Sequence, residues 1–349
     1  MRENISKVIV TGGAGFIGSH IVDELIRRGI ETYVIDNLTT GSLDNLAQCV
    51  NNKLLHIKIG NISDIQELMD DVKDIDIVFH EAAIANVLIS IENPILVNDI
   101  NVNSTLKLLE YCRKYNVKRF IFASSAAVYG VIADNVYASE DMVCTPNTPY
   151  GASKLACENY LKAYHSTYGL ETIMLRYFNV FGPRQSRSEY AGVINIFINK
   201  LLNKDIPIVF GDGSQNRDFV YVANIVQANL LAMIKEGIAA ESFNIGTGRS
   251  LSINELLYII KEITNSKDVQ HQYGPSRQGD MRFGQASTQK ARDKLGYMPM
   301  TNIIEALKQV VQYIRNKYNI LDHNDAISQQ LNQVKNYKST NNQQTQIIK

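Results

Sequence analysis

The sequence has no excess of either charge. Lys+Arg and Asp+Glu number 35 each. Nucleic-acid-binding chains usually carry a basic excess, so this balance gives that class no support. The four cysteines, Cys49, Cys112, Cys144 and Cys157, are scattered without metal-like spacing. Neither a disulfide framework nor a zinc site is expected from them, and no metal is assigned. No apolar run is long enough to cross a bilayer. The N-terminus enters a strand almost at once and shows no signal-peptide pattern. The expectation is a cytoplasmic enzyme with no membrane or nucleic-acid partner.

What is present suits a globular fold. The 349 residues are 45% hydrophobic and 20% charged, enough for one large or two ordinary domains with a sizeable core. Lys7–Thr11 is a short apolar run of the kind found in buried parallel strands. A glycine turn follows, then a helical pattern with Ile17, Ile21 and Leu25 on one face and Gly29 at its end. Thr32–Ile35 reads as a second strand ending at Asp36, with further strands over 54–59, 75–80, 119–124 and 172–177. Helical patterns lie between them, notably over 96–115 and 150–168. This alternation predicts an α/β fold with a Rossmann-type doubly wound parallel sheet. After Gly182-Pro183-Arg184 the rhythm changes. Short strands over 206–210, 219–222 and 242–245, with helices near 193–202, 253–264 and 303–318, predict a smaller mixed α/β lobe. The expected domains are 1–182, 183–322 and a poorly ordered Gln/Asn-rich tail, 323–349.

Two motifs carry chemistry. Thr11-Gly12-Gly13-Ala14-Gly15-Phe16-Ile17-Gly18 follows a strand and opens a helix. Glycines there permit a tight turn and close approach of backbone to phosphate, and the helix N-terminus offers unpaired N–H groups. Asp36 ends the next strand, where an acid can accept hydrogen bonds from both ribose hydroxyls. Asn37 and Leu38 follow it, with no arginine to meet a 2′-phosphate, so NAD is favoured over NADP. In the second motif, Tyr150 and Lys154 are four residues apart on one helix and share a face. A nearby ammonium and a positive nicotinamide ring would lower the phenol pKa and make Tyr150 a general base toward an alcohol. Ser125, at the carboxyl end of its strand, is a candidate partner for the reacting hydroxyl.

These residues together resemble the extended short-chain dehydrogenase/reductase superfamily, and closely the UDP-sugar 4-epimerases. Further matching stretches are His80-Glu81-Ala82-Ala83, Ser124–Gly130, Pro149–Lys154, Arg176–Arg184, Asn216–Val222, Phe243–Gly246 and Arg277–Asp280. The resemblance implies NAD contacts from Gly12, Gly15, Phe16, Ile17, Gly18, Asp36, Asn37, Ala82, Ala83, Lys154 and Phe178. It extends to Asn61 and Ile62, where the family usually has Asp in place of Asn61. It puts Asn179, Arg217 and Arg277 near a UDP moiety, whose diphosphate suits guanidinium forks. Phe210 and Val193 would pack near the uracil, and Asp280 would fix the ribose or Arg277. A homodimer through the 96–115 and 150–168 helices is implied as well.

The implied reaction inverts C4 of a UDP-hexose through a transient 4-keto sugar and returns NAD unchanged. Related dehydratases and decarboxylases carry an acid one or two positions after the active-site Ser or Thr. Here Ala126 and Ala127 stand there, which argues against both reactions. Uronate epimerases commonly have Thr where this chain has Asn179. A bulky residue four after the Asp of R-x-G-D would exclude an N-acetyl group; here it is Gly284, and Gly192 is similarly bare. UDP-GlcNAc/UDP-GalNAc are therefore expected beside UDP-Glc/UDP-Gal. The alternatives are another NAD-dependent nucleotide-sugar enzyme (a dehydratase, reductase or uronate epimerase) and a non-enzymatic NAD(H)-binding protein.

Overall fold

A computed structural model describes residues 5–186, 192–276 and 284–318. Seven strands form one all-parallel sheet. They are β1 (Lys7–Thr11), β2 (Glu31–Asp36), β3 (Leu55–Ile59), β4 (Ile77–His80), β5 (Arg119–Ser125), β6 (Glu171–Tyr177) and β11 (Glu241–Ile245). Their spatial order is β11-β6-β5-β4-β1-β2-β3. The sequence order reverses between β1 and β4, and there the carboxyl ends of the strands open a crevice for ligands.

Both faces of the sheet are covered, which is why its strands read as continuous apolar runs. Alternate residues go to opposite sides. Val8, Val10, Phe79, Ile121 and Leu175 share a core with α1 (Phe16–Arg27). Ile9, Val78, Phe120, Phe122 and Met174 share another with α2 (Ile65–Leu68), α5 (Ser104–Lys114) and α6 (Pro149–Tyr168). The helix expected over 96–115 is built in pieces. Short α3 (Val87–Glu92) and α4 (Pro94–Asn98) precede a π-turn over Asp99–Asn103, and α5 follows.

The smaller lobe holds three two-stranded ladders: β7 (Asn179–Phe181) with β10 (Phe219–Tyr221), β8 (Ile208–Phe210) with β13 (Gln272–Gly274), and β9 (Asn216–Arg217) with β12 (Leu251–Ser252). Their core is closed by α7 (Val193–Leu202), α9 (Ile253–Thr264) and α10 (Ile303–Tyr318). Two expectations need correction. The strand over 242–245 is not part of the smaller lobe: as β11 it pairs in parallel with β6 at the edge of the main sheet. The residue expected to end the 219–222 strand, Val222, instead opens α8 (Val222–Ile234), which packs on α1. Nine of its thirteen residues are buried, so it shows little of the one-sided periodicity that marks a surface helix. The chain therefore leaves the main sheet after β6 and returns to it through α8 and β11. The expected tail, 323–349, lies outside the described residues.

Candidate active site

The glycine turn joins β1 to α1. Gly12 has φ +66°, and a Cβ on it would lie 2.8 Å from the Ala82 nitrogen. A Cβ on Gly18 would run into the Gly12 carbonyl oxygen. The turn is thus packed to its limit against both the start of α1 and the loop after β4. Gly15 caps α1 with no side-chain hydrogen bond, leaving the first-turn N–H groups without the partner a Ser or Asp cap would supply. Asp36 is nearly buried; its carboxylate accepts from the Ala14 N–H at 3.0 Å and the Leu38 N–H at 2.8 Å, which fixes it beside the turn. The Asn37 amide donates to Asn61 Oδ1 at 2.9 Å, so the two exposed amides stand together. Ile62 is buried among Tyr33, Ile35 and Ile65, which leaves its backbone as the part able to meet a cofactor. Ala82, Ala83, Phe16 and Ile17 are partly exposed around the turn. Phe178 is 7% exposed and its N–H donates to the Ile245 carbonyl at 3.1 Å. An uncapped helix start, a glycine cradle and a fixed acid at the end of β2 fit a dinucleotide.

Tyr150 and Lys154 lie in the first two turns of α6. Thr148 caps this helix, accepting from the Gly151 N–H at 3.1 Å, and Pro149 takes its first position. A Cβ on Gly151 would strike the Ala127 carbonyl oxygen, so glycine lets α6 lie directly on the loop after β5. That contact sets the Tyr150 phenol near the Ser125 hydroxyl at the end of β5. Ser125 also accepts from the Ala127 N–H at 3.2 Å. Lys154 Nζ donates to the Ala123 carbonyl at 2.8 Å and lies 4.7 Å from the Phe122 ring centroid and 6.0 Å from that of Tyr150. The three expected catalytic residues are therefore together.

Their titration departs from expectation in one respect. Burial pushes the Tyr150 phenol above its ordinary value; the nearby Ser125 hydroxyl opposes this, and the Glu81 charge adds to it. Burial also lowers the Lys154 pKa. The protein's own groups thus do not acidify Tyr150.

Several supporting residues have partners that no local spacing in the sequence marks. His80 is buried between Thr11 Oγ1 at 2.7 Å and Thr105 Oγ1 at 2.8 Å, and burial drops its pKa to about 3, so the ring is neutral. It ties the dinucleotide turn to α5. Asn101, in the π-turn, donates to Ser153 Oγ at 3.0 Å and the Ile84 carbonyl at 3.1 Å. It braces α6 against the loop after β4. Glu158, one turn beyond Lys154, forms a buried bidentate pair with Arg176 (2.9 and 2.7 Å) and accepts from Ser124 Oγ at 2.6 Å.

Asn179, Arg217 and Gly284 come together where the smaller lobe meets the sheet. Asn179 opens β7, and its N–H donates to the Asp218 carbonyl at 3.0 Å, next to Arg217. Asp218 is wholly buried. Its carboxylate accepts from the N–H groups of Thr247, Gly248 and Ala286 and from the Thr247 hydroxyl, which fixes the crossing between lobes. Gly284 is buried, yet among the described residues a Cβ there would meet only the Asn216 carbonyl at 3.7 Å and Arg217 Cδ at 4.0 Å. Phe210 ends β8, while Gly192 caps α7 and Val193 begins it. Arg277 and Asp280 lie outside the described residues.

The chain is similar over most of its length to proteins of known structure. A UDP-glucose 4-epimerase structure from Thermotoga maritima, solved with UDP-glucose, is 41% identical and superposes with a TM-score of 0.84, covering 89% of this chain and 99% of that one. A UDP-N-acetylglucosamine 4-epimerase from Methanobrevibacter ruminantium, in complex with UDP-N-acetylmuramic acid, is 39% identical with a TM-score of 0.85, over 90% of this chain and 100% of that one. A UDP-glucose 4-epimerase from Mycolicibacterium smegmatis is 35% identical over 89% of this chain and 99% of its own length. Residues 8–246 match the family described as the NAD dependent epimerase/dehydratase family. The chain is a member of that family, within the extended short-chain dehydrogenase/reductase superfamily, and its cofactor is NAD.

Proposed function

We propose that the protein inverts C4 of a UDP-hexose, with Tyr150, Lys154 and Ser125 as its catalytic residues. The observation that carries this is the grouping of Tyr150, Lys154 and Ser125 at the end of β5, with only methyl groups at the two positions after Ser125. Ser125 and Tyr150 meet the sugar's O4 hydroxyl, and Tyr150 takes its proton. Bound NAD supplies the acceptor and donor for the C4 hydrogen, and its positive ring is the charge that favours phenolate where the protein alone does not. Lys154 holds a second positive charge beside the phenol. Ala126 and Ala127 can neither give nor take a proton, which disfavours loss of water or carboxylate. Asn179 and Arg217 anchor UDP from the smaller lobe, joined by Arg277 and Asp280, while the keto sugar turns between them and Tyr150. The relatives named for UDP-glucose and UDP-N-acetylglucosamine support this substrate class.

The space at Gly284 beside Arg217 favours acceptance of a 2-acetamido group as well as a 2-hydroxyl. The protein works as a homodimer in this reading, and its four free cysteines suit a reducing, cytoplasmic setting. The test is incubation with UDP-Gal and, separately, UDP-GalNAc without added cofactor, with products followed by proton NMR. The expected result is the C4-inverted sugar in both cases with no net NADH. Absence of conversion even with NAD added overturns the reading. Gly284→Tyr should keep UDP-Gal turnover and lose UDP-GalNAc turnover by about tenfold or more. Equal retention of both refutes the volume argument.

A further inference from the structure

The reading above leaves unused an acid beside the dinucleotide turn. Glu81 is the first residue after β4, and its N–H donates to the Thr11 carbonyl at 3.2 Å. A Cβ on Gly12 would stand 3.1 Å from the Glu81 carbonyl carbon, so Glu81 sits where the dinucleotide turn meets the end of β4. The Tyr177 hydroxyl donates to Glu81 Oε1 at 2.9 Å, and Asn229 Nδ2 donates to that same hydroxyl at 2.7 Å. Tyr177 is 6% exposed and Asn229 fully buried. A chain of two donors thus ends on the carboxyl, an arrangement that suits a carboxylate acceptor.

Lys154 shows why a charge is wanted there. Its Nζ donates to the neutral Ala123 carbonyl, and no carboxylate hydrogen-bonds it among the described residues. A buried ammonium without a counter-charge is costly. Glu81 follows His80, which pairs with Phe122 on β5, so it stands beside the strand whose Ala123 carbonyl holds Lys154; the Cys157 thiol is the other acidic group near that ammonium. Burial raises the thiol's pKa, so the thiol stays uncharged and the Glu81 carboxyl is the group that supplies an anion as pH rises through about 7. Glu81 also registers on Tyr150.

We propose that Glu81 is an electrostatic positioning residue: its carboxylate keeps Lys154 charged and favours the oxidised, cationic nicotinamide over the reduced, neutral one. This rests on the reading that Tyr150 and Lys154 face the nicotinamide. The charges then balance on both sides of the reaction. Before it, phenolate and carboxylate offset the ammonium and the positive ring. Once C4 has given its hydrogen and O4 its proton, Lys154 and Glu81 remain and still offset each other. Without Glu81 a positive charge stays uncompensated in both states.

The preference depends on pH. Burial brings the Glu81 carboxyl up to about 7, against the Tyr177 hydrogen bond and the Lys154 charge, which both hold it down. The other groups facing it are uncharged near neutral pH: Tyr150 and Tyr177 are raised above the ordinary phenol value, His80 is neutral, and Asn229 does not titrate. As pH falls through the Glu81 pKa, the carboxyl protonates and the preference for NAD⁺ is lost.

The test measures NAD⁺ and NADH affinities of the full-length protein by NADH fluorescence and its displacement, without sugar. In the parent protein the preference for NAD⁺ should strengthen from about pH 6 to about pH 8. Glu81→Gln should shift the ratio toward NADH by about tenfold at the upper end and abolish its pH dependence. Glu81→Asp should restore that dependence. Tyr177→Phe keeps the charge but removes a hydrogen bond to it, so its transition should move to higher pH. Lys154→Met should shift the ratio the opposite way, toward NAD⁺. If Lys154→Met moves the ratio while Glu81→Gln and Tyr177→Phe match the parent, the role of Glu81 is refuted and the placement of Lys154 stands. If none of the variants moves it, the nicotinamide is not beside this pair, and the proposed function fails with it.

Discussion

Arg176 and Glu158 form a buried ion pair whose value lies in what it holds together. Arg176 is 3% exposed and Glu158 fully buried, and the pair joins β6 to α6 one turn beyond Lys154. Arg176 also donates to the Tyr129 hydroxyl at 2.9 Å, and that hydroxyl donates to Asn244 Oδ1 at 2.7 Å, carrying the link on to β11. Removing one partner strands a charge in the interior, at a cost of about 3–5 kcal/mol, whereas replacing both by apolar groups costs much less. Arg176→Met is therefore expected to lower the melting temperature more than Arg176→Met with Glu158→Met. A double variant no more stable than the single would contradict this. Residues of this kind are the least legible in a sequence. Tyr150 and Lys154 are legible because four-residue spacing puts both on one helical face. Glu158 shares that spacing with Lys154, but nothing in the spacing distinguishes a buried acid from a solvated one. Glu81 lies in a stretch that the family resemblance matches, yet its donor Tyr177 and the Asn229 behind that donor are about 100 and 150 residues away. Only folding brings such residues together.

At the scale of elements, the site depends on how closely α6 approaches the loop after β5. Gly151 sets that approach, since any side chain there meets backbone rather than a yielding side chain. Gly151→Ala should push the start of α6 away from Ser125 and lower kcat by about a hundredfold, the scale set by a displacement near 1 Å. NAD affinity, set mainly by the turn after β1, should change much less. Equal losses in both would show that the substitution disturbs the whole Rossmann half. Most main-sheet strands are legible from their apolar runs to within a residue or two. The helices α1, α6, α7, α9 and α10 are legible from periodicity and caps. By contrast α8 is hidden because it is buried on nearly every side, and two-residue strands such as β9 and β12 are too short for any pattern.

At the scale of the whole molecule, an apolar surface is left uncovered on the α6 side of the sheet. Leu88, Ile91, Ile95 and Leu96 on α3 and α4 are 41–74% exposed, and Tyr160 and Tyr168 on α6 are 42% and 53% exposed. α3 and α4 pack against α6, so these residues belong to adjoining surfaces. α5 contributes none of the large exposed apolar residues, so the patch lies on the N-terminal part of the expected 96–115 helix and just before it. Patches of this kind mark association surfaces. If this face is the contact of the proposed homodimer, Ile95→Glu should halve the mass measured by light scattering, and an unchanged mass would count against it. The two-lobe plan is legible from the change of rhythm after Gly182, but the return of β11 to the main sheet is not. A strand's partner depends on the path of the intervening chain, which local pattern does not record. That return has a consequence for biosynthesis. The sheet edge next to β6 stays open until residue 245 has left the ribosome, while much of the smaller lobe's sequence has already emerged. The cofactor-binding half therefore cannot mature first as a finished unit, and the nascent chain must protect an exposed β6 edge throughout that interval.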